Sequence, residues 1–224
     1  MDKKAIIALA AIALIITVSL LFYNQNRLSP TIIELTKVEV REVNGTQLSS
    51  IADFRENSIA GVQYVNGSDY RLIVTGLVQR DLSYSYEEVL SRFQSYQKIV
   101  QLDCVEGWSV KLLWQGVLVK DIIQEAGIGE GAKTIIFRAA DGYSTSFPID
   151  YITNSTILLG YKMNNVTLPP ERGFPFQLVA ESKWGYKWIK WVVQIDISPG
   201  EYRGYWESRG YSNSGDLNSS FIGP

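Results

Sequence analysis

Nothing constrains this chain more than residues 5–23, which are apolar or small throughout except for the hydroxyls of Thr17 and Ser19. About twenty such residues, wound as a helix, match the hydrocarbon core of a bilayer. Residues 1–23 therefore read as a cytoplasmic start and a transmembrane anchor, apart from the body that follows. Lys3 and Lys4 precede the run and keep the N-terminus in the cytoplasm by the positive-inside rule. The alternative is a cleaved secretory signal. The run is long for one, and bulky Leu20, Leu21, Phe22 and Tyr23 stand where cleavage needs small residues. The expectation is an uncleaved single-pass anchor in the cell membrane with an extracytoplasmic body.

Asn44, Asn66, Asn154, Asn165 and Asn218 each begin an Asn-X-Ser/Thr sequon, where composition alone predicts about one or two. Such sites suit an exported surface, although Asn and Ser also cluster in turns for local reasons. The net charge is only -2, so no basic surface for nucleic acid is expected. Cys104 is the single cysteine, so no internal disulfide forms. There is no histidine, which removes Ser-His-Asp triads, Cys-His pairs, histidine-based zinc sites and histidine-ligated haem. Acid and base work falls to Asp, Glu, Lys, Tyr or the one thiol.

Residues 24–69 read as a tether and lead-in strand. Leu35, Val38 and Val40 alternate with Glu34, Lys37, Glu39 and Arg41, which predicts a half-buried strand over 32–43, and Asn44-Gly45 marks a turn. Residues 70–200 carry the domain proper, and 201–224 a tail packed on it. Further strands are predicted at 70–78, 98–102, 109–114, 134–138, 144–148, 157–162, 176–180 and 188–197, with turns at Gln115-Gly116 and Asp141-Gly142. Ser85 and Glu88 form a capping-box signature for a helix over 85–93, and Gly127 closes a second helix over 119–126. Many short strands with two interposed helices and no βαβ alternation define an α+β class with a mixed, β-rich core. No G-x-G-x-x-G or P-loop motif appears.

The informative segment is Leu102-Asp-Cys-Val-Glu-Gly-Trp-Ser109, followed by Trp114-Gln-Gly-Val-Leu118. Cys104 leaves a strand into a turn closed by Gly107. A thiolate there suits a soft or high-valent metal, and coordination deprotonates it. One thiolate is an incomplete site, so another molecule must bring the remaining ligands. A buried structural thiol is the other reading of a lone cysteine.

Cys-Val-Glu-Gly-Trp-Ser and Trp-Gln-Gly-Val, with the helix after them, resemble the molybdopterin-binding domain of the sulfite oxidase superfamily. That group includes the catalytic subunit of periplasmic methionine-sulfoxide reductase. Further matches follow in order: Gly76-Leu77-Val78, Asp141-Gly142-Tyr143, Gly173-Phe-Pro-Phe-Gln-Leu-Val179, Trp184-Gly-Tyr-Lys-Trp-Ile-Lys-Trp191 and Trp206-Glu-Ser-Arg-Gly-Tyr-Ser-Asn213. The resemblance covers roughly residues 70–213. It implies a sulfite-oxidase-like fold, a Mo-molybdopterin cofactor and Cys104 as the metal ligand beside the pterin's two sulfurs. It also implies that Trp188, Ile189 and Lys190 lie on the strand holding the pterin tail, with Lys183 and Lys187 near enough to add charge for its phosphate. Tyr143 would line the metal pocket and donate a hydrogen bond to an oxo ligand, or simply pack beside the turn. Gln177 and Arg172 depart from the family pattern of Arg and Asn at positions that help hold the cofactor, and Arg172 is placed to restore charge. Arg55 and Asn57 either reach the pterin or a substrate anion, or sit in an ordinary charged loop. Glu106 is a pocket acid, a supporting hydrogen-bond partner or a cap.

The implied chemistry is a two-electron step or oxygen-atom transfer on a small oxyanion or sulfoxide. Without histidine or further cysteine the chain offers no haem or iron–sulfur ligation, so a separate haem- or quinone-linked membrane protein is the expected redox partner. The competing reading is a cofactor-free extracytoplasmic binding module of the same fold.

Overall fold

The computed structural model describes residues 12–15 and 28–223. Among them no helix is long and apolar enough to cross a membrane. The anchor expected at 5–23 lies outside the described residues, apart from the helical stretch 12–15.

The body runs α1 (Pro30–Thr36), β1 (Glu42–Val43), β2 (Thr46–Gln47), β3 (Leu72–Gly76), β4 (Leu82–Tyr84), α2 (Tyr86–Arg92), β5 (Ser95–Asp103) and β6 (Ser109–Leu118). It continues with α3 (Val119–Ala126), β7 (Thr134–Ala139), β8 (Ser144–Pro148), α4 (Ile149–Thr153), β9 (Leu158–Met163), β10 (Val166–Thr167), β11 (Gln177–Val179) and β12 (Val192–Ser198). Two five-stranded sheets result. One has the order β4-β3-β12-β7-β8; the other has β10-β9-β6-β5, with β11 also paired to β9. The β3–β12 pair is parallel and the remaining pairs in both sheets are antiparallel. The expected α+β, β-rich fold is what the chain adopts.

Local chemistry explains the elements. Ser85 accepts from the Glu88 amide while Glu88 returns a bond to the Ser85 amide, so α2 starts on a complete capping box. α3 buries Val119, Ile122, Ile123 and Ala126, one face at helical spacing, against the core. Trp114, Trp191, Phe137, Phe147 and Phe176 are its largest fully buried side chains. The β1–β2 turn puts Asn44 and Gly45 at φ 50° and 78°, the double left-handed geometry that Asn-Gly favours.

Three expectations need correction. Residues 32–43 are not one strand. Ser29 caps α1 by accepting from the Ile32 amide, Pro30 opens it, and the alternation survives only in the two residues of β1. The described part of the lead-in packs on the body, with Ile32 and Ile51 fully buried in the core. Gln115-Gly116 is not a turn: β6 continues to Leu118 through a register shift against β9. Gly116 is required there, because a Cβ would lie 2.4 Å from the Leu159 carbonyl oxygen. The strand expected over 188–197 begins only at Val192, and residues 188–191 are irregular.

Candidate active site

A cavity of about 580 Å³ opens where the β5–β6 turn, the β7–β8 hairpin, residues 171–177, residues 185–191, the tail and the lead-in segment 54–61 meet. It falls in the usual range for small-molecule and cofactor sites.

Cys104 stands in its wall, 8% exposed. β5 and β6 pair as far as Asp103 and Ser109, which leaves a five-residue connection. The Cys104 amide donates to Trp108 O at 2.9 Å, and the Gly107 amide donates to Cys104 O at 3.0 Å. Gly107 sits at φ 88°, which a side-chain-bearing residue rarely adopts. Burial pushes the thiol up and the Glu106 charge adds to that, while the backbone amides of Glu106 and Val105 pull it down by hydrogen bonding. A metal cation bound to it would reverse that balance and favour the thiolate.

Charges in the lining are mostly engaged. Arg172 is 3% exposed; its Nε donates to Ile51 O at 2.9 Å, its Nη2 to Phe54 O at 2.7 Å, and its guanidinium lies 3.9 Å from the Phe54 ring centre. Burial pulls it down to about 10. Arg172 thus lines the cavity but latches the lead-in segment. Lys190 pairs with Glu56 of that segment and lies 4.3 Å from the Trp191 ring centre, and burial pulls it down to about 8. Gly173 makes room for it, since a Cβ there would lie 2.9 Å from the Lys190 Cβ. Glu106 accepts from Trp108 Nε1 at 2.9 Å and Asn57 Nδ2 at 3.3 Å, which holds it below the usual carboxylate range. Arg55 is exposed at the cavity and makes no hydrogen bond or ion pair among the described residues.

Several sequence expectations change here. The three lysines do not act together: Lys183 bonds Asp216 at 2.5 Å, Lys187 bonds Glu207 at 2.7 Å, and only Lys190 lines the cavity. Lys187 is fully buried and also donates to Ser146 O and Asn213 O, so its ammonium ties β8 to the tail. Tyr143 lines the cavity, but its hydroxyl donates to Tyr186 O at 2.5 Å, which leaves it lone pairs to offer and no proton. Trp188 and Ile189 line the cavity from irregular backbone; Trp188 donates to Lys183 O at 2.9 Å. Gln177 lines it from β11, with its Oε1 buried and unpartnered. Glu171 Oε2 is likewise buried there without a partner.

Sequence reasoning missed Trp108, Trp191, Trp206 and Tyr211 as cavity residues. The tail motif carries two of them and was the available signal. Trp191 closes the 184–191 motif; it is held at φ 51° and fully buried, with its Nε1 donating to Pro170 O at 2.7 Å. A bulky residue in that conformation costs of order 1–3 kcal/mol and persists only where its surroundings enforce it.

The site fits a bound organic metal cofactor. One thiol can ligate, a cofactor-sized space adjoins it, and the unpartnered acceptors of Gln177 and Glu171 suit a donor-rich ring such as a pterin. These features suit the class of enzyme whose metal would be held partly by a protein thiolate and partly by a second molecule. Residues 59–206 match the oxidoreductase molybdopterin binding domain, and the chain belongs to that family, within the sulfite oxidase superfamily. It is 36% identical over 154 residues to the uncharacterized oxidoreductase YuiH of Bacillus subtilis, covering 68% of this chain and 77% of that one. It is 31% identical to the putative protein-methionine-sulfoxide reductase subunit YedZ1 of Azospira oryzae, covering 67% and 57%. Among solved structures, the sulfane dehydrogenase SoxCD of Paracoccus pantotrophus superposes with a TM-score of 0.62 at 25% identity, covering 69% of this chain and 43% of that one. The chain is a molybdopterin-binding oxidoreductase with Mo-molybdopterin as its cofactor.

Proposed function

We propose that this chain is a membrane-anchored, extracytoplasmic oxidoreductase that acts on a small uncharged oxo-substrate, a sulfoxide being the simplest. The observation that carries the reading is the single thiol in the wall of a cavity of about 580 Å³. Bound molybdenum-molybdopterin supplies the two-electron, oxygen-atom chemistry. Cys104 supplies the protein thiolate, and the Val105 and Glu106 amides favour its charged form against the burial that opposes it. Gln177 and Glu171 offer acceptors to the pterin ring, and Lys190 is the lining lysine near it.

The substrate class follows from charge and shape. Arg55, Arg172 and Lys190 face Glu56, Glu106, Asp141 and Glu171, so the lining gives no net attraction for an oxyanion beside an anionic cofactor. Arg55 is exposed and makes no hydrogen bond or ion pair among the described residues, and its charge acts on Glu106. Trp108, Trp206 and Tyr211 add aromatic rings to the lining, which make favourable contacts with sulfur. Tyr143 accepts a hydrogen bond and positions a donor. Electrons arrive from a separate haem- or quinone-linked membrane protein, because this sequence has no histidine and no second cysteine to hold a further redox centre. Residues 5–23 place the body beside such a partner.

Full-length chain purified in detergent from a molybdopterin-producing host tests the reading. Stoichiometric molybdenum and dye-coupled reduction of a dialkyl sulfoxide are expected. Sulfite oxidation without sulfoxide turnover would overturn the substrate class.

A further inference from the structure

The described asparagines fall into two groups. Asn164 and Asn213 serve the interior, and Asn57, though exposed, serves the cavity rim. Asn57 bonds Glu106 beside Cys104. Asn164 is fully buried and bonds Glu39, Ser49 O and the Leu113 amide at 2.8, 2.8 and 3.1 Å. Asn213 gives its carbonyl to Lys187 and buries its Oδ1. None of these begins a sequon. Asn44, Asn66, Asn154, Asn165 and Asn218 do, and every one is exposed. The contrast holds between neighbours: Asn164 points inward without a sequon, while Asn165 points outward at the head of Asn-Val-Thr.

We propose that these five asparagines accept N-linked oligosaccharide. This rests on the extracytoplasmic placement proposed above. All five lie at turns or element ends: the β1–β2 turn, the loop before β3, the C-terminus of α4, the β9–β10 turn and the tail. None lines the cavity, so a bulky, solubilising sugar at each leaves the active site open. At Asn66 the sequon hydroxyl already reaches the amide, with Ser68 Oγ donating to Asn66 Oδ1 at 3.0 Å. The transfer balances without redox change. The asparagine amide nitrogen attacks the anomeric carbon of a lipid-phosphate-linked oligosaccharide. The C–N bond forms, the sugar–phosphate bond breaks, the amide loses one proton, and the lipid phosphate leaves.

The test uses the full chain isolated from the cells that make it. Glycopeptide mass spectrometry should find carbohydrate on sequon asparagines and none on Asn57, Asn164 or Asn213. Asn66→Gln and Asn165→Gln should each lower the intact mass by one oligosaccharide. Thr167→Ala should do the same while leaving Asn165 in place, which separates acceptor chemistry from loss of the side chain. A membrane-impermeant amine reagent on intact cells reports the placement independently. A labelled body with bare asparagines overturns this inference alone. An unlabelled body with bare asparagines overturns the placement and this inference together.

Discussion

The Cys104 turn and the lead-in segment at 50–58 line the same cavity and are held by different forces. The turn is backbone work: two strands paired to their last residues, two amide–carbonyl bonds and a left-handed glycine. The lead-in segment contributes no strand to the body's sheets. Arg172 holds its carbonyls, Lys190 pairs with Glu56, and buried Glu39 takes the Ser50 hydroxyl and the Ile51 amide. A wall built from backbone pairing tolerates side-chain change. A wall built from a few buried charges fails when one is removed, because the partner is left desolvated and unpaired.

The largest expected effect lies at the thiol. Cys104→Ser should lose essentially all molybdenum and leave the melting curve of the metal-free chain almost unchanged, as elemental analysis and calorimetry will show. Retained stoichiometric metal would break the division, since the turn would then not be the ligating wall. Next comes the buried pair that serves neither wall. Glu207→Ala leaves the Lys187 ammonium uncompensated and should cost about 3–5 kcal/mol by denaturant unfolding. Arg172→Ala should cost about 2–3 kcal/mol, because two buried carbonyls lose charge-assisted donors. Arg172→Lys should recover only part of that, lacking the two-pronged geometry. A cost below that of a surface substitution would show that the segment is held otherwise.

The smallest effect is a pH dependence. Burial pulls Lys190 down to about 8, so between that pH and the ordinary lysine value the unfolded chain holds a proton the folded chain has released. Stability must rise with pH across that window. Relative to Lys190→Met, the parent chain should gain about 1–2 kcal/mol between roughly pH 8 and 9.5 in paired unfolding curves. A flat difference would mean that Glu56 keeps the ammonium charged throughout.

The Cys104 wall was legible because its signals are local. A strand pattern ran into Asp-Cys-Val-Glu-Gly, and glycine announced the turn. The α2 capping box, the α3 face and the Asp141-Gly142 hairpin were read for the same reason. The strand expected at 32–43 was misread because alternation over so short a stretch also fits a helix, and Ser29-Pro30 decided the matter at its start. Lys183, Lys187 and Lys190 look like one cationic cluster in sequence. The 3-10 turn at Gly185–Lys187 and the irregular residues after it send them to three different carboxylates.

By itself the sequence determined the α+β class, the family, the position of the one thiol and the apolar run that precedes the body. Each rests on residue types at short spacing, where covalent geometry and local hydrogen bonds suffice. Only the tertiary structure decided that residues 54–58 wall the cavity, that Arg172 latches them, that Tyr143 has its proton engaged, and that Lys187 lies outside the site. Those facts depend on contacts between residues tens of positions apart, and which charge finds which partner is settled by burial.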